Sequence, residues 1–132
     1  MKTILFSTCL FLALAFSASA QEAPKNDAVE KTSVSISRRM VQEMGLNEVD
    51  FIQVRNLNQE RLQKAAQASR TYDNDPSSLE TALREIDEEF ETKLFRILSN
   101  RQLEAYAEFK LKPEGNFLSL VQQVSPKSKK KR

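Results

Sequence analysis

Residues 79–97 read LETALREIDEEFETKLFRI, and within them Leu79, Leu83, Ile86, Phe90, Leu94 and Ile97 recur at steps of four, three, four, four and three. That spacing draws one apolar stripe down a single helix face. Burying each such side chain contributes roughly 1.5–3 kcal/mol relative to exposure, so this helix is expected to supply much of a core. On its other side, Glu80 with Arg84, Arg84 with Glu88 and Glu89 with Lys93 stand at i,i+4, the spacing of weak surface ion pairs. The acidic run Asp87, Glu88, Glu89 and Glu91 points in several directions around the helix and reads as a solvated face rather than a cation site.

Working outward, residues 72–78 (Tyr-Asp-Asn-Asp-Pro-Ser-Ser) form the interhelix loop before this stripe. Asp75 capping with Pro76 at the first helical position, or a Ser77-x-x-Glu80 box, would start the helix. Upstream, a helix is expected from Glu48 to about Thr71, with Phe51, Val54, Leu57, Leu62, Ala65, Ala66 and Ala68 on its apolar side. A first helix is expected from Thr32 to Met44 through Val34, Ile36, Met40, Val41 and Met44, stopped by Gly45, where a residue tolerant of positive φ belongs. Downstream, Leu103, Tyr106, Ala107 and Phe109 define a fourth helix to about Lys112, ended by Pro113 and Gly115. Phe117, Leu120, Val121 and Val124 make a short amphipathic piece beyond it, read as either docking on the bundle or awaiting a partner. The expected fold class is all-α.

The start of the chain sets the compartment. Lys2, an apolar run from Ile4 to Phe16 and Ser17-Ala18-Ser19-Ala20 have the three-part layout of a cleavable export signal, shorter than the roughly 20 apolar residues of a membrane span. Residues 1–20 are therefore read as a signal peptide and 21–31 as a flexible leader. The helical domain is 32–112, the short amphipathic helix falls within 113–125, and 126–132 is a disordered Lys-rich tail. Cys9 lies in the middle of the apolar run, which is not the place of a lipid-anchoring cysteine, and the processed chain would carry no thiol.

Composition then narrows function. The 132 residues contain no histidine, so the usual neutral-pH base and the commonest transition-metal ligand are both missing. Two glycines, Gly45 and Gly115, are too few for a phosphate-cradling loop. No catalytic residue, metal ligand or cofactor is assigned, and the protein is not expected to be an enzyme. Lys2 and the tail cations Lys127, Lys129, Lys130, Lys131 and Arg132 account for six of the 20 basic residues, which leaves 14 against 18 acidic ones in 21–125. The pI of 8.7 is thus set by the tail. A nucleic-acid partner is not expected, because such domains carry their basic residues on a folded face.

Two junctions carry the functional reading. Leu46-Asn47-Glu48-Val49-Asp50 and Leu98-Ser99-Asn100-Arg101-Gln102 each run an apolar helix end into Leu, a capping side chain and, three residues on, a group that closes the cap. Leu46, Asn47, Asp50, Leu98, Ser99 and Gln102 are read as structural. The pair, about fifty residues apart in a small exported helical chain, resembles the Spy and CpxP family of periplasmic helical proteins, marked by a repeated Leu-Thr-x-x-Gln motif.

The resemblance covers about residues 33–112. It implies a four-helix protomer of two helical hairpins, an antiparallel homodimer, and ATP-independent binding of unfolded or partly folded envelope proteins, or restraint of an envelope-stress sensor. Arg55, Arg61, Lys64 and Arg70 are the basic residues nearest a weakly apolar face and are the candidate client contacts. The alternative is a regulatory or interaction module. In it, Phe117, Leu120, Val121 and Val124, or the tail cations, engage an envelope partner or an anionic surface.

Overall fold

The computed structural model describes residues 26–126. Five helices succeed one another: α1 (Asp27–Met44), α2 (Glu48–Thr71), α3 (Pro76–Phe95), α4 (Asn100–Phe109) and α5 (Phe117–Val124). The described residues contain no strand, and no helix among them is long and apolar enough to cross a membrane. Residues 1–25, with the expected signal peptide, and 127–132, with the tail cations, lie outside the described part.

Each helix start has a visible cause. Asn26 Oδ1 accepts from the amides of Ala28 and Val29 at 3.1 and 3.4 Å. This cap starts α1 at Asp27, five residues earlier than the apolar spacing alone indicates. Residues 27–31, read as flexible leader, are therefore helical, and Val29 is a core residue at 4% exposure. Gly45 ends α1 at φ 67°, with its N–H on Val41 O at 2.8 Å. Asp75 Oδ1 accepts from Ser78 N at 3.1 Å and Pro76 opens α3, which decides between the two starts the loop allowed. The Ser99 box is complete: Ser99 Oγ accepts from Gln102 N at 3.3 Å and Ser99 N donates to Gln102 Oε1 at 2.9 Å. At Asn47 only the forward half forms, Asp50 N to Asn47 Oδ1 at 2.8 Å, and no return bond from Asp50 is made among the described residues.

The long α2 is the hub, packed against α1, α3 and α5, while α4 returns to α1. Ser37 of α1 meets Asn58 of α2, while Lys93 reaches Glu60 and Glu89 reaches Lys64, an order of contacts in which α3 runs antiparallel to α2. One cluster gathers Ile36, Met40, Val54, Leu62, Phe90 and Leu94 with Leu120 and Val124 of α5; a smaller one joins Ala65, Leu83 and Val121. From the α3 stripe, Leu83, Phe90 and Leu94 are buried, while Leu79, Ile86 and Ile97 lie at the margin.

The α5 helix completes this core rather than waiting on the surface. Leu120, Val121 and Val124 are 3%, 6% and 3% exposed. Their assignment as partner contacts is thereby corrected: an eight-residue helix has little stability alone, and its apolar face is used against α1 and α2. Phe117 is half-buried over Arg61, its ring centroid 4.9 Å from the guanidinium carbon.

Candidate functional site

A polar thread runs through the middle of the bundle. Ser33 Oγ donates to Val29 O and Ser37 Oγ to Ser33 O, each at 2.6 Å. Asn58 Nδ2 donates to Ser37 Oγ at 2.9 Å, and Asn58 Oδ1 accepts from an Arg61 nitrogen at 2.8 Å. The other Arg61 terminal nitrogen lies 2.9 Å from Asp87 Oδ1. Its guanidinium also covers the Phe90 ring, 3.7 Å from the centroid. Burial pushes the Arg61 pKa down, opposed by the nearby Asp87 carboxylate, but arginine starts so high that the group stays charged. A buried charge requires this ring of partners.

Arg61 is therefore a core residue at 4% exposure, not a surface for clients, and that assignment is corrected. Lys64 is also committed. Its ammonium reaches Glu89 at 2.8 Å and Glu60 at 3.0 Å, and Lys93 bridges the same two carboxylates at 3.1 and 3.0 Å. Glu89 first, then Glu60, raises the Lys64 pKa, and the two lysines hold both carboxyls below the ordinary glutamate value. The acidic run of α3 is thus largely an ion-pairing face: Asp87 serves Arg61, Glu89 serves two lysines, and Glu91 receives Lys110 and the Tyr106 hydroxyl. Of the three i,i+4 pairs expected along α3, only Glu89 with Lys93 forms among the described residues.

Arg55 and Arg70 behave differently. Both are exposed, neither makes an ion pair or side-chain hydrogen bond among the described residues, and both line an open groove of about 590 Å³ between α1 and α2. Its α1 side is Asn26, Val29, Glu30, Ser33 and Val34; its α2 side is Arg55, Gln59, Gln63, Ala66, Gln67 and Arg70. The groove exists because its floor is small: Ser33 and Ala66 are buried at 1% and 3% exposure and fill little space between the helices. The α2 wall repeats at steps of four, four, three or four, and three, so its carboxamides form one face with an arginine at either end. Two cations and Glu30 give the lining a positive balance inside a body that is acidic overall.

A second cleft, about 340 Å³, opens beside Arg61, Asp87, Glu91, Tyr106, Lys110 and Phe117. Its central carboxylates are consumed by ion pairs, and Tyr106, whose hydroxyl donates to Glu91 at 3.0 Å, is held neutral because burial pushes its pKa far up. No group of three or more carboxylate, thiol or imidazole side chains is placed to hold a metal ion among the described residues. The exposed apolar side chains Val49, Ile52, Phe95, Leu111 and Leu118 are spread over α2, α3, α5 and the turn after α4.

The sequence pointed to Arg55 and Arg70 but not to the groove, and it missed Asn58 as a core residue altogether. Ser33, Ser37, Asn58 and Arg61 stand in register with Ile36, Met40, Val54 and Leu62. Polar side chains at apolar-periodic positions are the signal that marks such a thread. No protein-family model, curated protein or solved structure matches this chain.

Proposed function

We propose that this chain is an exported, non-enzymatic holdase of the Spy and CpxP kind, binding unfolding envelope proteins in the periplasm without ATP. The groove between α1 and α2 is the observation that supports the reading. It is open and floored by the small buried residues Ser33 and Ala66, it is lined by carboxamides that both donate and accept hydrogen bonds, and its two arginines have no partner among the described residues. Such a surface engages a polypeptide's backbone amides regardless of its sequence. It holds the segment loosely enough for release when the client folds and withdraws those groups. The antiparallel homodimer belongs to the same proposal.

Light scattering of a chemically denatured client, diluted into buffer with the purified protein in stoichiometric excess, tests the reading. Aggregation is expected to be suppressed in the absence of nucleotide, and scattering equal to that of the client alone rejects it. A solution mass measurement across a concentration series tests the dimer.

A further inference from the structure

The groove has a length as well as a lining. Arg55 and Arg70 stand 15 residues apart on one uninterrupted helix, which places their backbones roughly 22 Å apart at 1.5 Å rise per residue. An extended chain covers that distance in about seven residues at about 3.3 Å each. Between the two cations the α2 wall presents Gln59, Gln63 and Gln67, neutral groups suited to main-chain amides and carbonyls, while Ala66 keeps the floor low. The other α2 cations, Arg61 and Lys64, are turned to α3 and neutralised there. The charge facing the groove is thus concentrated at its two ends, and Glu30 is the single acid on the lining.

From this arrangement, and resting on the holdase reading, we infer that the groove selects extended segments carrying acidic side chains about seven positions apart. Each carboxylate meets one arginine, and the intervening backbone lies along the glutamines. Exposed ion pairs contribute modestly, up to about fivefold each in affinity, so the selectivity is a bias among clients rather than a lock. It weakens as salt screens the two ends.

Fluorescence anisotropy at low ionic strength tests the inference, using labelled unstructured Gly/Ser/Ala peptides that bear two glutamates seven positions apart, two adjacent glutamates, or two lysines seven positions apart. The widely spaced acidic peptide is expected to bind about tenfold more tightly than the lysine peptide and about threefold more tightly than the adjacent pair. Arg55→Gln and Arg70→Gln should each cost about threefold. Arg101→Gln, which removes the same charge from an exposed position of α4, should cost nothing.

Equal binding of the three peptides, or an Arg55→Gln/Arg70→Gln double variant that binds as wild type does, overturns the inference. If wild type still suppresses client aggregation in that event, the holdase reading stands without the acidic preference. Discrimination among peptides by a protein that suppresses no aggregation rejects the holdase and leaves a peptide site. A concentration-dependent rise in mass that both Arg→Gln changes abolish, without peptide binding, assigns the groove to a second copy and overturns the inference.

Discussion

The Arg61 guanidinium lies 2.9 Å from Asp87 Oδ1, yet the two residues are not equally enclosed: side-chain exposure is 4% for Arg61 and 26% for Asp87. The asymmetry has a consequence for mutation. Without Arg61, the Asp87 carboxylate can turn to water. Without Asp87, the guanidinium is left charged inside the bundle, with Asn58 as its one hydrogen-bonded neighbour among the described residues.

Asp87→Ala is therefore expected to cost about 3 kcal/mol, the range for orphaning one partner of a buried pair. Arg61→Met, which keeps most of the buried stem and removes the charge, is expected to cost less, chiefly through the Asn58 carbonyl it leaves unpaired. Urea unfolding of both variants checks the order. A larger loss for Arg61→Met would place the energy in arginine packing instead.

The two glycines are needed for different reasons. At Gly45 the backbone is left-handed, φ 67°, and an added Cβ meets nothing within 4 Å, so Gly45→Ala should cost about 1 kcal/mol of backbone strain. At Gly115 the strain is contact: a Cβ would overlap the Phe109 carbonyl oxygen. That overlap is with main chain and cannot be relieved by a rotamer, so Gly115→Ala must open the turn that delivers α5 to the core. It is expected to lower the urea midpoint more than Gly45→Ala does; equal midpoints would show that the turn yields freely.

Much of this architecture was legible in the sequence because it rests on local chemistry. The Gly45 stop, the Asp75 and Ser99 caps and the α3 stripe are written in neighbouring residues and form where spacing puts them. What was not legible depends on partners distant in the chain. Val29 sits among polar residues and becomes core by joining a cluster built from several helices, Leu120 and Val124 of α5 among them. Asn58 and Arg61 are polar by type and buried by circumstance, since Ser37 and Asp87 arrive from other helices to satisfy them. The groove is a property of two helices with small residues facing each other, which neither helix shows alone.

Tyr106 offers a spectroscopic test of its enclosure. Burial raises its phenol pKa well above the ordinary value of 10.0, and Glu91 adds to the effect. Because the folded value exceeds the unfolded one, the stabilisation is fully present below pH 10 and is lost as pH rises further and the unfolded chain ionises. A component of the tyrosinate absorbance near 295 nm should therefore appear only together with loss of helical circular dichroism. Full ionisation of both tyrosines in a still-helical protein would contradict the burial.

The Glu60, Lys64, Glu89 and Lys93 cluster, which ties α2 to α3, titrates in the opposite sense at its acidic end. Glu60, held down first by Lys93, and Glu89, held down first by Lys64, both lie below their ordinary value of 4.5. In this window the unfolded chain binds more protons than the folded one. The contribution is accordingly present above pH 4.5 and disappears as pH falls through the folded values. Urea midpoints should drop on acidification below that point. Glu89→Gln should flatten the drop, as should added salt, which screens this exposed cluster.

The docking of α5 separates two leucine- and valine-bearing positions that look alike in sequence. Val124 is 3% exposed and reaches the main core cluster, whereas Leu118 is 60% exposed at the mouth of the smaller cleft. Val124→Ser removes apolar contact and leaves a hydroxyl in its place, at an expected cost of about 2 kcal/mol. Leu118→Ser should stay within about 0.5 kcal/mol of wild type. Amide exchange locates the damage: Val124→Ser should speed exchange in α1 and α2 where α5 covers them, because an undocked eight-residue helix cannot hold its own fold. Unchanged protection there would mean that α1 and α2 close their core without α5.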